Sequence, residues 1–220
     1  MQTAIVVFPG SNRERDAALA VERATGKKPH IVWHADTDMP KVDLIMLPGG
    51  FSHGDYLRTG AMAAHSPIMR EVAARAEKGV RVWGICNGFQ ILCEAGLLPG
   101  ILLRNASLKF VCRPVTLKVE NNKTDFTNLC TPEQTMRVIV AHGDGNYFVQ
   151  PDTLKAIQDN GQVAFRYLDN PNGSIADIAG VFNKHKNVLG MMPHPEDAVE
   201  ALHGSTEGKV LFDSVAKAFA

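Results

Sequence analysis

Short apolar runs alternate with amphipathic stretches along the first half of the chain, and that alternation predicts its elements. Ala4 to Phe8 reads as a buried strand, Pro9-Gly10-Ser11-Asn12 closes it, and a helical pattern follows to about Thr25. His30 to His34 and Leu44 to Leu47 are two further strands. A helix is expected from Ala61 to Lys78, ended by Gly79, the residue type that most often follows a helix C-terminus. Val80 to Ile85 is then a strand and Asn87 to Ala95 a helix. Apolar strands each followed by a helix imply βαβ units and a parallel sheet covered on both faces. Right-handed crossovers make this a flavodoxin-like, three-layer α/β/α architecture, whose ligands bind beyond the carboxyl ends of the strands.

The second half is richer in strands: Val111 to Val119, Arg137 to Ala141, Val163 to Leu168, Ile178 to Phe182 and Val188 to Met192. A last helix is expected from about Gly208 to Phe219. Pro99-Gly100, Asn121-Asn122 and Asn170-Pro171-Asn172-Gly173 supply turns. No repeat, low-complexity tract or linker interrupts the pattern, so residues 1–220 are read as one domain.

Charge and composition narrow the picture. Lys+Arg and Asp+Glu are equal at 23 each in 220 residues, which lacks the basic excess of a nucleic-acid binder. No apolar run approaches the roughly 20 residues of a membrane span, and the N-terminus has no basic leader. Cys86, Cys93, Cys112 and Cys130 form no C-x-x-C pair. A reducing, cytoplasmic setting is therefore expected, and the Asn-x-Ser triplets at Asn105 and Asn172 are read as chance matches.

Gly84-Ile85-Cys86-Asn87-Gly88 follows an apolar strand and opens a helical pattern. This is the G-x-nucleophile-x-G elbow with cysteine in place of serine, where flanking glycines leave room for a sharp turn that pushes the side chain out of the sheet. A free thiol is only a few per cent thiolate at pH 7, and a helix N-terminus with a nearby histidine is the setting that raises that share. The competing reading of Cys86 is a buried structural cysteine, which the glycine frame disfavours. Cys93, Cys112 and Cys130 lack such a frame and keep the structural reading.

Among eight histidines, His194 follows the strand ending at Met192 and lies between Pro193 and Pro195, which impose extended backbone. Residues two apart on extended chain project to one side, so Glu196 is expected to hold the imidazole of His194. Cysteine, histidine and carboxylate then take the roles of an acyl-transfer triad. His142, before Gly143-Asp144-Gly145-Asn146, is the second candidate base and a candidate pocket wall. His53 and His65 fall in a loop and a helix, and no histidine or cysteine set has metal-ligand spacing.

Pro48-Gly49-Gly50-Phe51 follows a strand, where paired glycines permit a turn whose N–H groups face a ligand. Gly49 or Gly50, with the N–H of Asn87, is the candidate oxyanion site. Gly49 and Gly54 have phosphate-loop spacing, but Asp55 stands where the lysine is needed, and no G-x-G-x-x-G follows a strand. The chain therefore shows neither an ATP loop nor a dinucleotide fingerprint.

Cys86, Gly88 and Gln90, with His194-Pro195-Glu196, match the C-x-G-x-Q and H-P-E motifs of the class I (triad) glutamine amidotransferases, which the sequence resembles. Phe8 to Asn12, Pro48 to Arg58, Lys109 to Arg113, Ala141 to Asn146 and Asp177 to Val181 make it similar, more narrowly, to the glutaminase subunits of phosphoribosylformylglycinamidine synthase. The resemblance implies that thiolate Cys86 attacks the side-chain carbonyl of L-glutamine, that His194 shuttles protons, and that Gln90 contacts the bound substrate. It implies delivery of ammonia to a large synthetase subunit that uses ATP and Mg2+, with a small third subunit that helps assembly. Two positions depart from the family pattern: Asp197 follows H-P-E where arginine is frequent, and Arg13 follows Ser11-Asn12 where a smaller residue is common. The alternatives are another amidotransferase's glutaminase, a cysteine hydrolase or deglycase of the related superfamily, and a non-catalytic partner module. The deglycases often carry histidine after the nucleophile, where this chain has Asn87.

Overall fold

The computed structural model describes residues 1–219. The strands are β1 (Thr3–Val7), β2 (His30–Trp33), β3 (Leu44–Leu47), β4 (Arg81–Ile85), β5 (Ile101–Leu103), β6 (Val111–Val119), β7 (Thr135–His142), β8 (Asn146–Phe148), β9 (Val163–Tyr167), β10 (Ile178–Phe182) and β11 (Val188–Met191). The helices are α1 (Glu14–Thr25), α2 (Ala61–Ala64), α3 (Pro67–Glu77), α4 (Asn87–Glu94), α5 (Pro151–Asp159) and α6 (Lys209–Ala218). Nine strands form a central sheet in the order β2-β1-β3-β4-β11-β10-β9-β6-β7, flanked by helices, and β5 pairs with β8 apart from it.

The α/β expectation holds, with a refinement. Neighbours from β2 through β4 to β11 are parallel. From β11 through β10, β9 and β6 to β7 every pair is antiparallel. The parallel centre is buried on both faces, as its continuous apolar runs require: every residue of β3 and β11 is buried. By contrast, β2 is an edge strand and exposes Ile31 and Trp33. Trp83 of β4 is fully buried and packs against Phe126 and Phe212, anchoring the strand that leads to Cys86.

The helix expected over Ala61 to Lys78 is two helices. Pro67 has no N–H to donate to the preceding turn, and Ser66 before it is extended (φ −61°, ψ 145°), so α2 ends and α3 starts afresh with proline in its first turn. Helix α5 and the short strands β5 and β8 were not expected. No described helix is long and apolar enough to cross a membrane.

Candidate active site

Three parallel strands, β3, β4 and β11, deliver the expected groups to one end of the sheet. Cys86 terminates β4 with φ 51° and ψ −106°, a positive-φ conformation rare for a side-chain-bearing residue. Such backbone costs on the order of 1–3 kcal/mol and persists where surrounding structure imposes it. The imposing structure is visible: a Cβ on Gly84 would stand 2.6 Å from the Gly88 carbonyl, and a Cβ on Gly88 would stand 1.9 Å from the Leu47 oxygen. Glycines therefore let the elbow press against β3. The Cys86 N–H is held by Met191 O at 2.8 Å, tying the elbow to β11.

His194 follows β11, and its backbone N–H bonds to Ile139 O on β7 at 2.8 Å. Its Nδ1 donates to Oε1 of Glu196 at 2.7 Å, with both side chains buried. That bond sets the tautomer and leaves Nε2 buried and without a hydrogen-bond partner. Burial opposes charge on His194, but the Glu196 carboxylate, then Cys86, outweigh it and raise the imidazole's pKa. Cys86 Sγ rests 3.8 Å from Ala141 O. Cys86 and His194 both face a cavity of about 290 Å³ whose walls include Arg13, Phe51, Phe110 and Asp197. A larger hollow, about 490 Å³, opens at the far end of β4 around Lys78, Arg81 and Lys186 and holds none of the expected groups.

The glycine loop lies beside them. A Cβ on Gly49 would meet His194 Cε1 at 2.8 Å, Arg13 Cγ at 3.1 Å and Cys86 Cβ at 3.5 Å. Gly50 has φ 151° and crosses so near Gly10 and Ser11 that a Cβ would stand 2.7 Å from each. Neither the Gly50 nor the Asn87 backbone N–H is taken by an acceptor among the described residues. The Asn87 side chain faces elsewhere: its oxygen accepts from Ser52 N at 3.1 Å, and its nitrogen donates to Gln90 Oε1 at 3.0 Å. Gln90 in turn donates to Asp144 O at 2.7 Å. Gln90 is buried with each end of its amide held by one partner, which fixes the orientation of the amide.

His142 is near but differently placed. It is buried, with Nδ1 3.1 Å from Asn105 Oδ1 and Nε2 3.4 Å from Asn172 Nδ2. Burial, helped by the charge of His194, holds its pKa down to about 4. Asn105 and Asn172, the two Asn-x-Ser asparagines, are buried supports of this histidine, with Asn105 also accepting from Gly145 N at 3.0 Å. Nothing in their triplets signals this role, because partners from distant loops create it. Arg13 and Asp197 form an ion pair at the cavity wall. Among the described residues no three His, Cys, Asp or Glu side chains gather as a metal site.

This geometry can carry out acyl transfer at a thiol. The family model for the CobB/CobQ-like glutamine amidotransferase domain matches residues 1–210. The phosphoribosylformylglycinamidine synthase subunit PurQ of Chelativorans sp. is 58% identical over 217 residues, 98% of each chain. The same subunit of Rhizobium meliloti is 58% identical over 216 residues, 97% of each chain. A solved structure of PurLQS from Thermotoga maritima matches with a TM-score of 0.92 and 47% identity, over 100% of this chain and 99% of the other. A second solved structure, a glutamine amidotransferase from Thermotoga maritima, shares the fold at 15% identity and a TM-score of 0.59, over 99% of this chain and 90% of the other. The chain belongs to the glutamine amidotransferases, in the family of PurQ subunits of phosphoribosylformylglycinamidine synthase.

Proposed function

We propose that this chain is the glutaminase subunit of a phosphoribosylformylglycinamidine synthase and supplies ammonia from L-glutamine through a thioester on Cys86. The observation that carries this is the strained Cys86 beside a histidine whose other nitrogen is held by a buried carboxylate. The Cys86 sulfur attacks the glutamine side-chain carbonyl, and a C–S bond forms as the carbonyl electrons move to oxygen. The N–H groups of Gly50 and Asn87 receive that oxyanion. His194, as imidazolium, donates its Nε2 proton to the departing nitrogen, and the C–N bond breaks to release ammonia and the γ-glutamyl thioester. Neutral His194 then takes a proton from water, whose oxygen attacks the thioester, and glutamate leaves as the thiolate returns. Glu196 keeps the imidazole oriented and favours its charged form through both steps. His142, held neutral beside two asparagines, is buried outside the cavity lining and takes no part in these steps.

Ammonia released in the open would be protonated and lost, so its consumer must seat against the cavity. The partner assigned is a large synthetase subunit using ATP and Mg2+ on formylglycinamide ribonucleotide, with a small subunit that helps assembly, in the cytoplasm. The PurLQS likeness supports a complex of that kind. The test is synthesis by the reconstituted complex containing Cys86→Ala. Glutamine-dependent synthesis is expected to vanish while synthesis from added ammonium salt persists. Retained use of glutamine would exclude Cys86 as the nucleophile.

A further inference from the structure

An oxyanion donor on a glycine loop is only as good as the orientation of its peptide plane, and here that plane has a visible anchor. The carbonyl of Gly49 accepts the backbone N–H of both Asn12 and Arg13, each at 3.3 Å. A trans peptide is planar, so its C=O and N–H point in opposite directions. Holding the Gly49 oxygen toward residues 12 and 13 therefore turns the Gly50 N–H the other way, and that N–H is unengaged among the described residues. Glycine flanks with few steric limits would otherwise let this peptide rotate.

The anchor is itself fastened by side chains. Arg13 precedes α1, whose first turn closes through Ala17 N to Arg13 O at 3.0 Å. Its aliphatic stem covers Gly49 beside Cys86 and His194. Its guanidinium pairs with Asp197, and more weakly with Asp16 at 3.4 Å. Asp197 directly follows Glu196, and its N–H bonds to His194 O at 3.3 Å. One ion pair thus joins the segment that orients the glycine peptide to the turn that carries the base and its acid. We infer that Arg13 is a positioning residue for the glutaminase reaction: braced by Asp197, it holds the Gly49–Gly50 peptide with the Gly50 N–H available to the oxyanion. This rests on the proposed glutaminase role.

The test compares wild type with Arg13→Ala, Asp197→Asn and Arg13→Lys, each assembled with its synthetase partner. Arg13→Ala and Asp197→Asn are expected to lower glutaminase kcat by about tenfold, less than outright loss of a donor, with KM within about twofold. Arg13→Lys, which keeps stem and charge, retains most of the rate. The rate of Cys86 alkylation by iodoacetamide, followed at that residue by mass spectrometry, stays at the wild-type value, because displacement of iodide develops no oxyanion. Unchanged kcat in the Ala and Asn variants overturns the inference. So does a parallel fall in Cys86 alkylation, which would place the damage at the nucleophile, or an Arg13→Lys variant as slow as Arg13→Ala. A wild-type complex that makes no ammonia from glutamine overturns the glutaminase reading itself.

Discussion

Two histidines lie near Cys86, and their surroundings set them to opposite protonation states. His194 faces a buried carboxylate that raises its pKa against burial, whereas His142 has no carboxylate partner, and burial, then the charge of His194, holds it down to about 4. The sign of the consequence for His142 follows from linkage. Its folded-state pKa lies below the ordinary 6.5, so the unfolded chain binds more protons between those values. Stability from a neutral His142 is complete above about pH 6.5 and is lost as pH falls toward 4. Asp55, raised to about 6 by burial and then by Asp144, acts oppositely in part of that window, so the comparison must be between variants. Urea titrations at pH 7 and pH 4.5 are expected to show wild type losing about 2 kcal/mol more than His142→Gln. Equal losses would mean that His142 titrates normally. At this scale the triad was legible because each member sits in a short motif with its own backbone reason: glycines around Cys86, prolines around His194, and a two-residue step to Glu196. Asn105, Asn172 and the pairing of Arg13 with Asp197 were not, since each acquires its role from a residue distant in sequence.

Elements were legible where periodicity ran long enough. The elbow is the clearest case, because a strand, a glycine frame and a helix in succession leave few other readings, and β4 and α4 lie where they were expected. Its packing makes a sharp prediction. Gly88→Ala places a methyl 1.9 Å from the Leu47 oxygen, which is backbone and cannot swing aside. The variant should lose about 3 kcal/mol of stability by chemical denaturation, with α4 displaced from β3. An unchanged midpoint would contradict the tight seating of the elbow. Strands β5 and β8 have three residues each, too few for alternation to register. Helix α5 does carry a signal in its sequence: Pro151 and Asp152 in its first turn are ordinary helix-start residues. A single helix across Ser66-Pro67 fails because the proline breaks what the apolar spacing alone would allow to continue.

Across the whole molecule, the parallel centre places function where open α/β sheets place it, at the carboxyl ends of β3, β4 and β11. The antiparallel half extends the sheet through β10, β9, β6 and β7, and Ile139 of β7 bonds the backbone of His194. No local pattern reveals that β9 inserts between β10 and β6, because strand order is decided by pairing across the chain. The consequence is mechanistic: the nucleophile belongs to the parallel half, while the base is fastened to both halves. The proposed mechanism requires that glutamine acylate the sulfur of Cys86. Rapid acid quenching of the assembled complex during turnover, followed by peptide mass spectrometry, would trap the acyl-enzyme. One γ-glutamyl group is expected on the peptide containing Cys86, absent in Cys86→Ala and removed by hydroxylamine. Steady turnover of glutamine with no such adduct, or with the adduct on Cys112, would be incompatible with the mechanism.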